Sequence, residues 1–304
     1  MGKTVKRILS ATVLIAFIVT ALSTPFCNWI FLFVLVLFFS LAALYEFYHL
    51  CDRGYEGRSL NVVGYIFSIL ILLSYYAQYL SIIGIQGSEC SGIFRVFVGI
   101  FYPGMNLLPL FLVLFVVSSH IIQLIFRPMH GTTYSVSTTG FGLLYTVLPF
   151  SYSLLFLTLH NGMFYLIFVI FATVMTDTGA YFAGRWFGKH NARLQTSPRK
   201  TYEGYVGGII VSNLTSLLFL VLARQYLPEM YAPPELSTIE AVILVFFISM
   251  LSIMGDLAES ALKRDANKKD SASVIPGHGG VLDLADALLI TIPVTYFYFL
   301  FKVF

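Results

Sequence analysis

The chain has 304 residues, of which 58% are hydrophobic, 16% aromatic and only 11% charged, and its mean hydropathy is +0.84. This composition excludes a soluble globular domain, in which about a quarter of the residues are usually charged, and predicts an integral membrane protein. The formal net charge of +3 suits anionic headgroups and phosphorylated substrates better than duplex nucleic acid, so we expect no nucleic-acid partner.

Nine apolar runs are long enough to cross a bilayer, because a spanning helix needs about 20 mostly apolar residues. They cover residues 8–24, 28–47, 61–83, 104–126, 139–159, 163–183, 204–224, 238–260 and 281–301. A short extra helix or re-entrant piece is predicted near 94–102. The first run could alternatively be a signal peptide, but the second begins almost at once, which favours a retained helical hairpin. We predict a single all-α polytopic membrane domain over residues 1–304.

The positions of Lys and Arg predict the orientation of these spans. Nine spans place the N-terminus and the loops near 48–60, 127–138, 184–203 and 261–280 on one side of the membrane. That side holds all of the 18 basic residues except Arg95, Arg224 and Lys302. Because cytoplasmic loops attract positive charge, we expect a cytoplasmic N-terminus. We also expect the cell (inner) membrane as location, with the active site on its cytoplasmic side.

Acidic residues divide the chain into two halves. Up to about residue 160, Glu46 is the only acidic residue inside an apolar run, so residues 1–160 are interpreted as mostly hydrophobic scaffold helices. In residues 161–304, carboxylates enter the cytoplasmic ends of the runs, at Asp177, Asp256, Glu259, Asp283 and Asp286. This second half is therefore predicted to hold the catalytic helices and loops.

Two carboxylate pairs at helical spacing predict a metal site. Asp256 and Glu259 are three residues apart, as are Asp283 and Asp286, so each pair shares one helix face. Gathered carboxylates repel one another unless a cation lies between them, and such hard ligands suit Mg²⁺ together with substrate phosphate. Two alternatives stay open, an N-cap role for Asp283 and an i,i+4 ion pair of Glu259 with Lys263. Neither alternative applies to Asp256 and Asp286, which lie inside apolar helices.

Cations and glycines near these carboxylates are typical of phosphate binding. Lys263, Arg264, Lys268 and Lys269 follow the eighth run. Alone they would be an ordinary cytoplasmic loop, but beside a metal site they can bind phosphoryl oxygens. The Pro-Gly-His-Gly-Gly turn at 276–280 lets backbone N–H groups approach an anion. Further hydrogen-bond donors to phosphate precede the seventh run, at Ser197, Arg199, Lys200 and Thr201. The alternative for these residues is a solvated basic loop.

Three blocks of polar sequence occur in order within residues 170–290. They read D-T-G-A-Y-x-x-G-R-x-F-G-K-H from 177, S-P-R-K-T-Y-E-G from 197, and S-x-L-K-R-x-x-x-x-K-D-x-A-x-x-I-P-x-H-G-G-V-x-D-x-x-D from 260. Together they resemble the phosphatidate cytidylyltransferase family, whose members are also called CDP-diacylglycerol synthases. The N-terminal half is similar to that family only in being hydrophobic.

The resemblance implies transfer of the cytidylyl group from CTP to phosphatidate, which yields CDP-diacylglycerol and pyrophosphate for phospholipid biosynthesis. Positions that match the family motif imply that Asp256, Asp283 and Asp286 are catalytic residues that bind Mg²⁺. The resemblance also implies that Lys263 is catalytic, and it allows a second cation. The implied substrate-binding residues are Asp177, Ser197, Arg199, Lys200, Thr201, Ser260, Arg264, Lys269, Asp270, His278, Gly279 and Gly280. Expected partners are CTP, phosphatidate and membrane lipids, and the resemblance allows a homodimer.

One departure from the family and three other functions stay open. The family signature usually ends in D-R-x-D, and this chain has Leu284 at the position of that arginine. Either another cation such as Arg185 compensates, or this member is weaker or altered in substrate preference. The other functions are a CTP-dependent lipid kinase, an inactive structural partner and an ion-coupled transporter. A transporter would carry polar residues in both halves, whereas here they are confined to one.

Overall fold

The computed structural model describes residues 30–54, 57–83, 91–198, 200–226, 236–268, 271–272 and 279–303. Over these ranges the chain is helical, with one isolated β-bridge between Asn191 and Thr201. The helices are α1 (Ile30–Leu50), α2 (Asn61–Ile83), α3 (Ser91–Phe101), α4 (Leu108–Phe126), α5 (Thr132–Gly142), α6 (Leu148–Phe156), α7 (Gly162–Phe187), α8 (Tyr202–Tyr226), α9 (Thr238–Asp265), α10 (Val281–Ala285) and α11 (Leu288–Val303). A π-helical turn at Leu143–Val147 joins α5 to α6.

Eight helical stretches in the described ranges are long and apolar enough to cross a membrane. They are Ile30–Leu50, Asn61–Ile82, Leu108–Phe126, Thr132–Phe156, Gly162–Phe187, Tyr202–Tyr226, Thr238–Asp265 and Val281–Lys302. The predicted all-α, multi-pass membrane fold is thus confirmed. The predicted first run at 8–24 lies outside the described residues, and the cytoplasmic N-terminus stays a prediction.

Two predicted boundaries differ from the observed helices for local reasons. The fourth span begins at Leu108 rather than near 104, directly after a local turn in which the side chain of Asn106 accepts a hydrogen bond from Leu108 N at 2.8 Å. The fifth span begins at Thr132, seven residues before the predicted start. Its first turns are rich in Ser and Thr, which lower the hydropathy, yet Thr139 Oγ1 donates to Ser135 O at 2.6 Å within the helix. The short extra helix near 94–102 is observed as α3.

The chain divides into two compact units, each built from two segments. The first unit comprises Met1–Thr158 and Asp270–Leu284, and the second comprises Leu159–Lys269 and Ala285–Phe304. One division therefore falls near residue 160, where the sequence changes from purely apolar runs to runs that contain carboxylates. The prediction of one membrane domain over 1–304 stays a prediction.

In the first unit, α1 packs closely against α5. A Cβ at Gly142 would lie 2.6 Å from the Tyr48 ring and 2.9 Å from Leu44, so glycine permits this approach. The Tyr48 hydroxyl donates to Thr139 O at 3.0 Å, which satisfies a buried polar group at the same contact. This contact fixes the C-terminal end of α1, which is predicted to face the cytoplasm and carries the buried Glu46.

In the second unit, glycines and hydroxyls bring the helices close together. Gly204 and Gly208 on α8 form a small-xxx-small pattern, and a Cβ at Gly208 would lie 2.7 Å from Thr176 O on α7. Hydrogen bonds between helices reinforce the packing, since Thr176 Oγ1 donates to Ser249 Oγ at 2.9 Å and Ser212 Oγ donates to Ala172 O at 2.8 Å. The close packing places the C-terminal parts of α7 and α9 beside the start of α8.

Candidate active site

An ion pair between Lys200 and Asp256 lies at the centre of the candidate site. Lys200 precedes α8 in the loop after α7, and its ammonium pairs with the Asp256 carboxylate on α9. The ammonium also lies over the Tyr205 ring, 5.8 Å from the ring centroid. Both charged side chains keep about a quarter of their surface exposed, at 29% and 26%. A partly exposed pair of this kind remains accessible to a polar substrate.

Asp177 joins this pair through the face of α9 that carries Asp256. Ser252 precedes Asp256 by four residues and so shares its helix face. The Ser252 hydroxyl donates to Asp177 Oδ1 at 3.2 Å, and Ser260, one turn further on, donates to Asp256 Oδ1 at 3.4 Å. The hydroxyls therefore orient two carboxylates toward the same loop.

Asp286 follows α10 and is almost completely buried, with 8% of its surface exposed. Its Oδ1 accepts a hydrogen bond from Ala287 N at 2.6 Å. Gly255 on α9 allows the approach, because a Cβ there would lie 2.8 Å from both Asp286 O and Ala287 Cα. Sequence reasoning missed Gly255, although its position directly before Asp256 in an apolar helix was an available signal.

Two lysines share the electrostatic environment of these carboxylates. Burial lowers the pKa of the Lys200 ammonium below its ordinary value, Asp177 and Asp286 oppose this shift, and Lys263 adds to it. Lys263 also pairs with Glu259, whose side chain is completely buried, as the i,i+4 alternative predicted. The arrangement can therefore neutralise a phosphate that approaches from the loop side.

A cavity of about 410 Å³ opens beside the ion pair, within the size range of small-molecule sites. The Arg185 guanidinium lies at its wall and donates to the Tyr181 hydroxyl at 3.3 Å. The other lining residues are Asp177, Ala180, Gly184, Lys200, Thr201, Gly204, Tyr205, Ile253 and Asp256. Cations, carboxylates and aromatic rings are thus presented to one space.

The loop that carries Lys200 folds back on itself as a short hairpin. Ala192 N donates to Lys200 O at 2.8 Å, and the amide of Asn191 donates to Pro198 O at 2.6 Å. Two predicted substrate-binding residues serve the loop itself. Thr201 Oγ1 accepts from Gly204 N at 3.2 Å as an N-cap of α8, and Arg264 Nε donates to Thr196 O at 3.2 Å. Rigid placement of Lys200 follows from these contacts.

The donor set near Lys200 suits a divalent cation in its chemistry. Its carboxylates are all hard oxygen ligands, and Mg²⁺ at nucleotide sites typically takes one or two carboxylates together with phosphates and waters. Among the residues that the structure describes, no three His, Cys, Asp or Glu side chains are grouped as a metal site. Mg²⁺ at the site stays a prediction.

The sequence model of the cytidylyltransferase family matches residues 5–302 of the chain. The chain belongs to this family. Curated relatives named phosphatidate cytidylyltransferase include one from Bacillus subtilis, 37% identical over 45% of this chain and 47% of the relative, and one from Haemophilus influenzae, 36% identical over 51% and 54%. The uncharacterized protein YnbB of Escherichia coli is 31% identical over 65% of each chain. The chain spans about half the length of the first two relatives.

The other predicted residues of this cytidylyltransferase-family member belong to the first unit, to the hairpin or to the part of the chain outside the described ranges. Asp283, Gly279 and Gly280 belong to the first unit. Asp283 lies in the first turn of α10 and not at its N-cap, so the N-cap alternative was wrong; its Oδ2 reaches back to accept from Gly280 N at 2.8 Å. Ser197 lies in the hairpin, where its backbone accepts from Lys200 N at 3.2 Å. Four predicted residues lie outside the described ranges: Arg199, Lys269, Asp270 and His278.

Proposed function

We propose that this protein transfers the cytidylyl group from CTP to phosphatidate, which forms CDP-diacylglycerol and releases pyrophosphate. The observation that carries the proposal is the cavity in the second unit, where Lys200, Asp256 and Asp177 meet beside a loop at the ends of spanning helices. The membership in the cytidylyltransferase family and the names of the curated relatives support the same reaction.

The position of the site suits one substrate from water and one from the membrane. Lys200 lies in the loop between the spans that end at Phe187 and begin at Tyr202, whereas Asp177 and Asp256 lie about two to three helical turns inside their spans. A water-soluble nucleoside triphosphate can therefore approach the loop, while a lipid phosphate approaches along the helices. The reaction needs both substrates at one interface.

The chemistry is an in-line displacement at the α-phosphorus of CTP. An oxygen of the phosphatidate phosphate forms the new P–O bond, and the bond to the leaving pyrophosphate breaks. The nucleophile is already an anion, so we expect positioning and charge neutralisation to dominate over a strong general base. Lys200 and Lys263 would bind phosphoryl oxygens, and Arg185 at the cavity wall would bind those of the triphosphate or the lipid.

Asp256 and Asp286 are the side chains that we propose to hold Mg²⁺, and Asp177 lies beside them. When bound, the ion supplies neutralisation of the phosphate charge. The residues themselves fix the geometry, since Ser260 orients Asp256 and the Ala287 backbone orients Asp286. The ligand role of Asp283 and a second cation stay predictions from the family resemblance.

We place the protein in the cell (inner) membrane with the site on the cytoplasmic side. The concentration of basic residues in the loops near 184–203 and 261–280 supports this orientation. A homodimer rests on the family resemblance. The small net charge of +3 gives no support to a nucleic-acid partner.

The decisive experiment incubates the purified protein in lipid nanodiscs with CTP, phosphatidate and Mg²⁺. We expect CDP-diacylglycerol and pyrophosphate in equal amounts, and neither product when Mg²⁺ is removed by a chelator. CDP together with a newly phosphorylated lipid would instead identify a CTP-dependent lipid kinase. Absence of both product pairs from a folded preparation would reject cytidylyl transfer.

A further inference from the structure

Glu46 on α1 is a completely buried carboxylate that receives three hydrogen bonds from residues 225 to 236 positions later in the chain. Its Oε1 accepts from Val281 N at 2.8 Å. Its Oε2 accepts from Leu282 N at 2.8 Å and from the Ser271 hydroxyl at 2.9 Å. All four residues belong to the first unit. A side chain in the predicted scaffold half thus binds the signature segment directly.

These contacts explain why a carboxylate is tolerated at this depth. A buried charge is costly unless hydrogen bonds replace its lost hydration. The first N–H groups of a helix have no partner within the helix, and negative charge is favourable beside them. Glu46 accepts hydrogen bonds from the first two residues of α10. The carboxylate thereby gains donors that replace water, and the helix gains acceptors for its unpaired N–H groups.

Ser271 connects Glu46 to Asp283. Its hydroxyl donates to Glu46, while its backbone N–H lies 3.2 and 3.1 Å from the two carboxylate oxygens of Asp283. Gly280 N donates to Asp283 Oδ2 at 2.8 Å. A Cβ at Gly280 would collide with both Ser271 Oγ and Glu46 Oε2, so the backbone at Gly280 packs directly on the Glu46 carboxylate. Both carboxylates therefore bind Ser271.

We propose that Glu46 is a positioning residue for the proposed cytidylyl transfer, on which this inference rests. It fixes the start of α10 and the position of Ser271, and through them the carboxylate of Asp283. Glu46 touches no substrate in this role. The family resemblance implies that Asp283 binds the divalent cation, so loss of Glu46 should weaken the binding of that ion and slow the reaction while the affinity for CTP stays nearly constant.

The test compares wild type with Glu46→Gln, which keeps the size of the side chain. The amide oxygen can accept from only one side, and the amide NH₂ then faces an N–H or hydroxyl donor. We expect Mn²⁺, measured by electron paramagnetic resonance without substrates, to bind about tenfold more weakly. The kcat should fall about tenfold or more at saturating Mg²⁺, with the KM for CTP within about twofold of wild type.

Two further variants separate positioning from folding. Ser271→Ala removes one donor to Glu46 but keeps the backbone N–H to Asp283, so a smaller weakening of Mn²⁺ binding is expected. Glu240→Gln makes the same chemical change at a carboxylate that bonds Tyr298 and Lys302 on α11, and should leave Mn²⁺ binding and kcat unchanged. Thermal unfolding midpoints are recorded for every variant.

Unchanged Mn²⁺ affinity in folded Glu46→Gln overturns the inference. If the thermal unfolding midpoint is also lower, the role of Glu46 is purely structural. If Glu46→Gln fails to fold, Ser271→Ala decides by the same measurement. The proposed function is judged separately: wild type that binds Mn²⁺ but makes no CDP-diacylglycerol would reject cytidylyl transfer, whereas the Mn²⁺ comparison would still decide the role of Glu46.

Discussion

Asp256 in the second unit has a different kind of partner from Glu46 and Asp283 in the first. In the second unit, Asp256 pairs with the partly exposed Lys200 beside a cavity. In the first unit, Glu46 and Asp283 bind backbone N–H groups, which cannot move away from a folded turn. A carboxylate opposite a partly exposed ammonium can exchange its partner for a substrate or an ion, whereas one bound to amides holds the backbone. The difference separates reacting groups from those that position them.

The largest expected effect comes from removing the exchangeable carboxylate. Asp256→Asn keeps the shape but loses the charge that Lys200 and a cation would share, so turnover should fall by roughly 1,000-fold or more. CDP-diacylglycerol formation from radiolabelled CTP measures this loss. A folded variant with more than a tenth of wild-type activity would remove Asp256 from the reacting groups.

The next largest effect is expected at Lys200, the cation that pairs with Asp256. Lys200→Met retains much of the aliphatic packing beside Tyr205 but removes the charge, and kcat/KM for CTP should fall about 100-fold. Steady-state kinetics with varied CTP measures the change. Lys189→Met, at an exposed lysine in the same predicted cytoplasmic loop but outside the cavity lining, is the matched control. Equal losses in both variants would indicate a general effect of loop charge.

A packing change at Gly255 should have an intermediate effect. The added methyl of Gly255→Ala meets backbone atoms of Asp286 and Ala287, so helix α9 must shift, at about 1–3 kcal/mol of stability. Activity should fall with it, because Asp286 moves relative to Asp256. Gly99→Ala on α3 is the control, since no atom lies within 4 Å of the new methyl. Thermal unfolding in nanodiscs compares the two, and equal midpoints would contradict the close packing.

The smallest effect is expected at Leu284, where the family usually has arginine. The side chain is 39% exposed, so an arginine can be accommodated. Leu284→Arg should raise the rate by at most about fivefold, as an exposed charge contact contributes about 1 kcal/mol or less. The sharper comparison is made in an Arg185→Ala background. Rescue there, but no gain in wild type, would assign compensation to Arg185.

The sequence predicts the membrane spans well because a bilayer imposes a length of apolar helix. It misplaced the start of α5, where Ser and Thr hydroxyls bond within the helix and hide its membrane character from hydropathy. The pairing of Lys200 with Asp256 was not predicted, although both residues were chosen as phosphate or metal ligands. Short-range patterns indicate which residues are polar, while the fold decides which of them meet.

Glu46 shows most clearly which contacts could not be predicted from the sequence. Its isolation in an apolar run was visible, but its three partners lie more than two hundred residues away, beyond the reach of helical periodicity. For Asp283 the sequence indicated a contact at the start of the helix, and Gly280, its observed partner, is only three residues distant, although the N-cap position itself was wrong. Local chemistry was therefore predictable, and contacts between distant segments were not.

The pairing of Glu259 with Lys263 restricts how this site can change during evolution. Glu259 is completely buried and Lys263 only 14% exposed, so the loss of either residue alone leaves an uncompensated charge at about 3–5 kcal/mol. A lineage that loses Lys263 must pass through a poorly folding intermediate or change both positions together. Homologues that keep the glutamate should therefore keep the lysine, even where selection for the reaction has been relaxed.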